Sequence, residues 1–132
     1  METNLVDFPN TRKGFSFRQI LSSLFHHLSV MIIEQNIFYL KFGKAKEAIE
    51  IWKQIGEVMK KDERFNTPMR ILTDLTGSAY TLILELYLRS YMEINPMTYT
   101  WKTNQQAREL YQQFIPLCDS ARREFYKIEM ET

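Results

Sequence analysis

The sequence predicts an all-α fold, a single-domain antiparallel four-helix bundle with an irregular N-terminal arm, and three observations carry that prediction. Apolar residues recur at three- and four-residue spacing over long stretches, Gly and Pro stand where those stretches would end, and no segment reads as sustained two-residue alternation. The length of 132 residues suits one domain, long enough to bury a core without disulfides or metals.

Residues 1–15 hold Pro9, Asn10 and Gly14 without periodicity, so they read as an irregular arm that packs through Phe8 and Phe15. The bundle then occupies residues 16–132. Its first helix, 16–42, opens on Ser16 and Gln19, the spacing of a capping box, in which hydroxyl and amide each satisfy a free backbone N–H. Phe17, Ile20, Leu21, Leu24, Leu28, Met31 and Ile32 form its apolar stripe, and Gly43 is the expected stop. A second helix, 44–61, carries Ala45, Ala48, Ile49, Trp52, Ile55 and Met59 on one face, with charged pairs such as Glu50/Lys53 and Glu57/Lys61 on the other.

The third helix, 68–94, starts with Pro68 at a position where the missing donor costs little. Arg70, Asp74, Ser78, Thr81, Glu85 and Arg89 form a narrow polar stripe along it, with i,i+4 pairing expected for Arg70/Asp74 and Glu85/Arg89. The rest of its circumference is largely apolar and calls for protein neighbours. Pro96 ends it, and the loop that follows contains Tyr99 and Trp101. The last helix, 104–128, opens on the Thr103/Gln106 capping-box spacing, presents Ala107, Leu110, Tyr111, Phe114, Cys118, Ala121 and Phe125, and is kinked or split at Pro116. Short connections favour up-down-up-down packing; a three-helix core with the first two segments merged is the other arrangement.

Composition and motifs narrow the chemistry. Lys+Arg number 17 against 16 Asp+Glu, so the chain as a whole is not a polyanion-binding field. The first ten residues lack the basic and apolar regions of a secretory signal, polar residues interrupt both long apolar runs, and the lone Cys118 suits a reducing compartment. A cytoplasmic protein without membrane contact is the resulting expectation. His26 and His27 would point about 100° apart on a helix, and no Glu-x-x-His motif accompanies them, so neither a metal nor a cofactor is expected. Ser22 and Ser23 lie four residues before the two histidines but lack an oxyanion hole and an orienting acid. Cys118 falls on the apolar stripe, and Gly14, Gly43, Gly56 and Gly77 are too dispersed for a phosphate cradle. Catalysis is therefore not expected, and no small-molecule substrate is inferred.

What remains is macromolecular interaction: a small helical regulator, adaptor or accessory subunit, working as a homodimer that covers the apolar third helix unless the N-terminal arm, with Phe8, Phe15 and Phe17, covers it instead; Tyr99 and Trp101 are a candidate partner surface or a plug at the end of the bundle. The alternative is a nucleic-acid-associated factor. Between Phe8 and Lys46 six basic residues (Arg12, Lys13, Arg18, Lys41, Lys44 and Lys46) face the single acid Glu34, with Arg12, Lys13 and Arg18 as candidate phosphate contacts.

Overall fold

Leucines 82, 84, 86 and 88 occupy every second position of an extended segment and all four are buried, with Ile, Glu and Tyr between them. That two-residue period makes the segment a strand of a sheet, and the sheet organises the molecule. The computed structural model describes residues 16–19, 31–94 and 103–132. In chain order these form β1 (Ile32–Leu40), α1 (Ala45–Lys60), β2 (Met69–Thr73), β3 (Thr81–Leu88), a 3₁₀ turn (Tyr91–Ile94), α2 (Gln105–Phe114), a second 3₁₀ turn (Ile115–Leu117) and β4 (Cys118–Lys127). The strand order is β2-β3-β1-β4 and every neighbouring pair is antiparallel. Each helix thus joins a strand to a parallel strand two places away, the βαββαβ arrangement of ferredoxin-like folds.

Both helices pack on one face of the sheet. Ala48, Ile51, Trp52, Ile55 and Met59 of α1 repeat at three- and four-residue intervals, and Ala107 and Phe114 of α2 do likewise. They meet the alternate residues Ile32, Phe38 and Leu40 of β1 and Leu82, Leu84, Leu86 and Leu88 of β3 in one core. Burying each large side chain contributes about 1.5–3 kcal/mol. Edge-on ring contacts add orientation: Phe38 meets Phe114 at 4.8 Å and Trp52 meets Phe114 at 5.4 Å between centroids.

The fold is α+β, not the four-helix bundle that the spacing predicts. Of the expected helix 16–42, residues 17–19 are helical and the capping box is formed: Gln19 N–H donates to Ser16 Oγ at 3.2 Å and Ser16 N–H to Gln19 Oε1 at 2.8 Å. Its end is instead β1, whose run Ile-Ile-Glu-Gln-Asn-Ile-Phe-Tyr-Leu is rich in β-branched and aromatic residues. Gly43 does take a positive φ of 77°, but in the turn from β1 into α1. Where the sequence predicts helix 44–61, α1 stands.

The expected third helix is the β2–β3 hairpin with its loop. Pro68 lies before β2 and its carbonyl accepts from Tyr87 N–H at 3.0 Å, extending the ladder. The expected last helix ends at Phe114, where Ile115-Pro116-Leu117 turns the chain into β4. Its N-cap is Asn104 rather than Thr103: Asn104 Oδ1 accepts from Ala107 N–H at 2.9 Å. Residues 1–15, 20–30 and 95–102 lie outside the described residues, and the expectations placed on the arm and on that loop lie there with them.

Candidate functional site

The sheet register arranges side chains in rows that cross all four strands. On the face toward the helices, one row reads Met69, Leu86, Glu34, Phe125, the next Ile71, Leu84, Asn36, Arg123, and the next Thr73, Leu82, Phe38, Ala121. Two halves result. The β2–β3 half is apolar, as a face under helices should be, whereas the β1–β4 half places a carboxylate, an amide and a guanidinium at interior positions. A charge placed where the pattern demands an apolar residue is a local conflict of the kind found at functional sites.

Glu34 has no exposed surface and Asn36 is nearly as buried. Asn36 Nδ2–H donates to Glu34 Oε2 at 2.7 Å, and Arg123, directly opposite Asn36, donates from Nε to Asn36 Oδ1 at 2.8 Å. The same Nε lies 3.4 Å from Glu34 Oε2. Arg123 spans two environments, because its fixed end meets the buried acid while its side chain keeps 39% of its surface exposed. Its neighbours in the same facing column, Ala121, Phe125 and Lys127, are exposed as well. Helix length accounts for this: ten residues of α2 span ~15 Å, but ten residues of β4 span ~33 Å, so α2 roofs only part of the strand.

Tyr111 of α2 stands near this strip, close enough that the Arg123 charge acts on its phenol. Burial pushes that phenol up, the thiolate that Cys118 forms only at high pH adds to the rise, and Arg123 opposes it. Tyr111 also packs on Trp52 at 6.0 Å between centroids. The indole Nε1–H of Trp52 is buried without an acceptor, an orphan donor of the kind that costs about 1–3 kcal/mol. An anchored arginine, a half-buried phenol and an exposed Phe125 beside an aromatic core suit an apolar molecule bearing an acceptor oxygen.

The groove of about 920 Å³ between the outer edges of α1 and α2 is larger but different in kind. Its wall carries the bond network that locks the two helices together: Arg64 forks onto Asp62, and Asn104 Nδ2–H donates to Asp62 Oδ2 at 2.9 Å. These bonds, Arg64's first, hold the Asp62 carboxyl far below the usual carboxylate range.

Of the sites expected from the sequence, Tyr99, Trp101, Arg12, Lys13, His26 and His27 lie outside the described residues, and Arg18 is exposed on the short helical stretch after Ser16. Lys41, Lys44 and Lys46 gather at the turn before α1, where Lys44 reaches Glu47 at 3.8 Å. Among the described residues no group of three or more His, Cys, Asp or Glu side chains is placed to hold a metal ion, and no helix is long and apolar enough to cross a membrane. Glu34, Asn36 and Arg123 were not singled out by sequence reasoning. Their signal, polar residues at alternate positions in a β-branched run, is readable only once the segment is taken as a strand.

No family model matches the sequence, and a search of curated proteins finds no match either. Solved structures do resemble it. A NIPSNAP family protein from Agrobacterium tumefaciens superposes with a TM-score of 0.63 at 16% identity, covering 78% of this chain and 90% of that one. A second NIPSNAP family protein from the same organism, of unknown function, gives 0.62 at 12% identity over 76% and 89%. A Nitrosomonas europaea protein named as a candidate antibiotic biosynthesis monooxygenase gives 0.61 at 10% identity over 79% and 95%.

At these identities the likeness is one of fold, and the fold is α+β. It removes the ground for a helical regulator acting as a homodimer, since the apolar surface assigned to a third helix is the buried row of β3 and its partner β2. The alternative role in nucleic-acid association gains nothing from these likenesses.

Proposed function

We propose that this chain is a non-catalytic binding protein for a small, neutral, largely apolar molecule carrying a carbonyl or phenolic oxygen, held along the helix-facing strip of β4. The observation that carries this reading is the fully buried Glu34, which with Asn36 fixes Arg123 at the edge of that strip. The pair Glu34/Arg123 is neutral as a unit, so it favours an acceptor oxygen over a full anion. Arg123 supplies donors from its exposed end, and Ala121 and Phe125 supply the apolar bed on either side of it. The fold's likeness to a candidate antibiotic biosynthesis monooxygenase is in keeping with a small organic ligand, and it transfers no reaction to this chain.

Binding needs no bond-making group here. The thiol of Cys118 is pushed up to about 11 by burial, with Asp119 adding to the rise, which keeps it a neutral thiol near neutral pH. Acetophenone, an aryl ketone, is a suitable probe. Titrated into the ¹⁵N-labelled chain, it is expected to shift the amides of Ala121, Arg123 and Phe125, and Arg123→Met is expected to abolish those shifts. Shifts that survive Arg123→Met, or that fall on other elements, would remove this reading.

A further inference from the structure

Among the described residues the opposite face of the sheet carries no helix, and Arg122, the neighbour of Arg123, projects onto it. There Arg122 lines a cavity of about 250 Å³ formed by the sheet and the β2–β3 loop. Two bonds hold its guanidinium still: Nε donates to Glu124 Oε2 at 2.7 Å, and Nη1 donates to the Tyr39 hydroxyl at 2.7 Å. The guanidinium also lies over the Tyr39 ring, 5.8 Å from its centroid. Among the described residues Nη2 has no partner, so an ordered donor edge remains available.

Across the cavity stands Asp74. Its Oδ1 accepts from Thr81 N–H at 2.9 Å, which fixes the carboxylate, and among the described residues Oδ2 has no partner. Thr76 and Ser78 of the loop line the same space, and among the described residues their hydroxyls make no hydrogen bond. Ile37 and Ile83, facing each other on β1 and β3, form the floor.

Glu124 keeps about a third of its side chain in solvent, where its charge is screened, unlike the fully buried Glu34, so Arg122 still presents a cation. A fixed cation, a fixed anion, loop hydroxyls and an aliphatic floor suit a dipolar ligand with an apolar body. Arg122 and Asp74 lie on the outer strand at one side and beside the outer strand at the other, offset by two residues in register, so three strand spacings of ~4.8 Å across and two residues along separate their backbones by ~16 Å. The long arginine and the short aspartate narrow that gap to roughly the span of an α-amino acid with a hydrogen bond at each end.

We infer that this cavity is a binding site for a free α-amino acid with an aliphatic side chain: the α-carboxylate rests on Arg122, the α-ammonium on Asp74, and the side chain on Ile37 and Ile83. The site is independent of the Arg123 strip, being on the other face of the sheet.

The test is a titration of the intact ¹⁵N-labelled chain with L-leucine, followed through amide shifts. Saturable shifts around Ile37, Asp74, Thr81 and Arg122 are expected, with acetophenone failing to displace the amino acid. Arg122→Gln and Asp74→Asn should each weaken leucine by about tenfold or more, the loss expected for a charge-assisted hydrogen bond. Asp74→Asn keeps an oxygen for Thr81 N–H, so the loop retains its anchor, and unchanged amide dispersion confirms the fold of each variant. 4-Methylpentanoate, which lacks the ammonium, and isoamylamine, which lacks the carboxylate, should both bind more weakly than leucine. The inference is overturned by an absence of saturable shifts up to ~50 mM leucine, by unchanged leucine affinity in both variants, or by 4-methylpentanoate binding as tightly as leucine.

Discussion

Arg70 and Glu85, fifteen residues apart in sequence, face each other across β2 and β3, and the guanidinium bonds the carboxylate through both Nε and Nη2. Gln35 completes the row from β1, donating to the other carboxylate oxygen at 2.9 Å. Burial pushes the Glu85 carboxyl up, yet the bonds from Gln35 and Arg70 together prevail and hold it below its ordinary 4.5. A depressed folded-state value means that the charged form stabilises the fold at neutral pH, and this contribution is lost as pH falls from about 4.5 through the folded-state value. Arg70→Met therefore raises the Glu85 value and moves acid unfolding to higher pH. Carboxyl ¹³C titration of Glu85 together with acid-unfolding midpoints measures both shifts.

Glu34 and Arg123 test whether charge in the helix-facing layer serves stability. Removing the cation by Arg123→Met strands a buried carboxylate, and the cost should approach the ~3–5 kcal/mol typical of breaking a buried pair, reduced because Arg123 is partly exposed. Glu34→Leu leaves a cation that water can still reach, but it strips the buried Asn36 Nδ2–H of its acceptor at a cost of about 1–3 kcal/mol, offset by apolar burial in the row of Leu86 and Phe125, so its net effect should stay within about 1 kcal/mol of the parent. Urea unfolding of the two variants decides, with the larger loss expected for Arg123→Met.

Trp52 joins the largest ring cluster to an unpaired donor. Trp52→Ala opens a cavity against Phe38, Tyr111 and Phe114 and should cost about 3–5 kcal/mol. Trp52→Phe keeps much of the ring contact and removes the orphan N–H, so its loss should be less than half as large. Thermal unfolding of both variants provides the comparison.

Cys118 should be a slow nucleophile. With its thiol raised to about 11, alkylation by iodoacetamide at about pH 8 is expected to run on the order of a hundredfold slower than for an exposed cysteine. Mass spectrometry of the alkylated chain over time checks this, and unfolding in urea should restore the ordinary rate.

Asn104 holds two elements at once, capping α2 through Ala107 N–H and bonding Asp62 at the end of α1. Asn104→Ala should cost about 1 kcal/mol for the cap, plus a contribution from the lost bond to Asp62. Asn104→Asp keeps the cap but sets two carboxylates together, and its cost should fall as pH is lowered. Urea unfolding at two pH values separates the cap from the repulsion.

The part of this fold that the sequence discloses is the part whose period is unambiguous. Ala48, Trp52, Ile55 and Met59 recur at helical spacing with charge on the other side, and α1 is where that spacing puts it. Positions 82, 84, 86 and 88 alternate just as regularly, but Ile83 between them makes the segment look continuously apolar. Arg70, Asp74, Ser78, Thr81, Glu85 and Arg89 stand at helical intervals because a seven-residue loop, 74–80, separates two strands and resets their phase. Glu34 and Asn36 read as interruptions of an apolar run under a helical period; under a strand period they become neighbours on a buried face. Arg123 joins them only through the β1–β4 pairing, a contact between residues 87 apart that no local pattern carries.

On the proposed reading, Glu34 serves to hold Arg123 toward a ligand and not to hold the fold. Amide-shift titration of Glu34→Leu with acetophenone, beside its unfolding curve, separates the two roles. The expected result is a variant within about 1 kcal/mol of the parent in stability whose affinity for acetophenone falls by about tenfold or more. A variant that binds acetophenone as the parent does, or that loses stability by several kcal/mol, would contradict it.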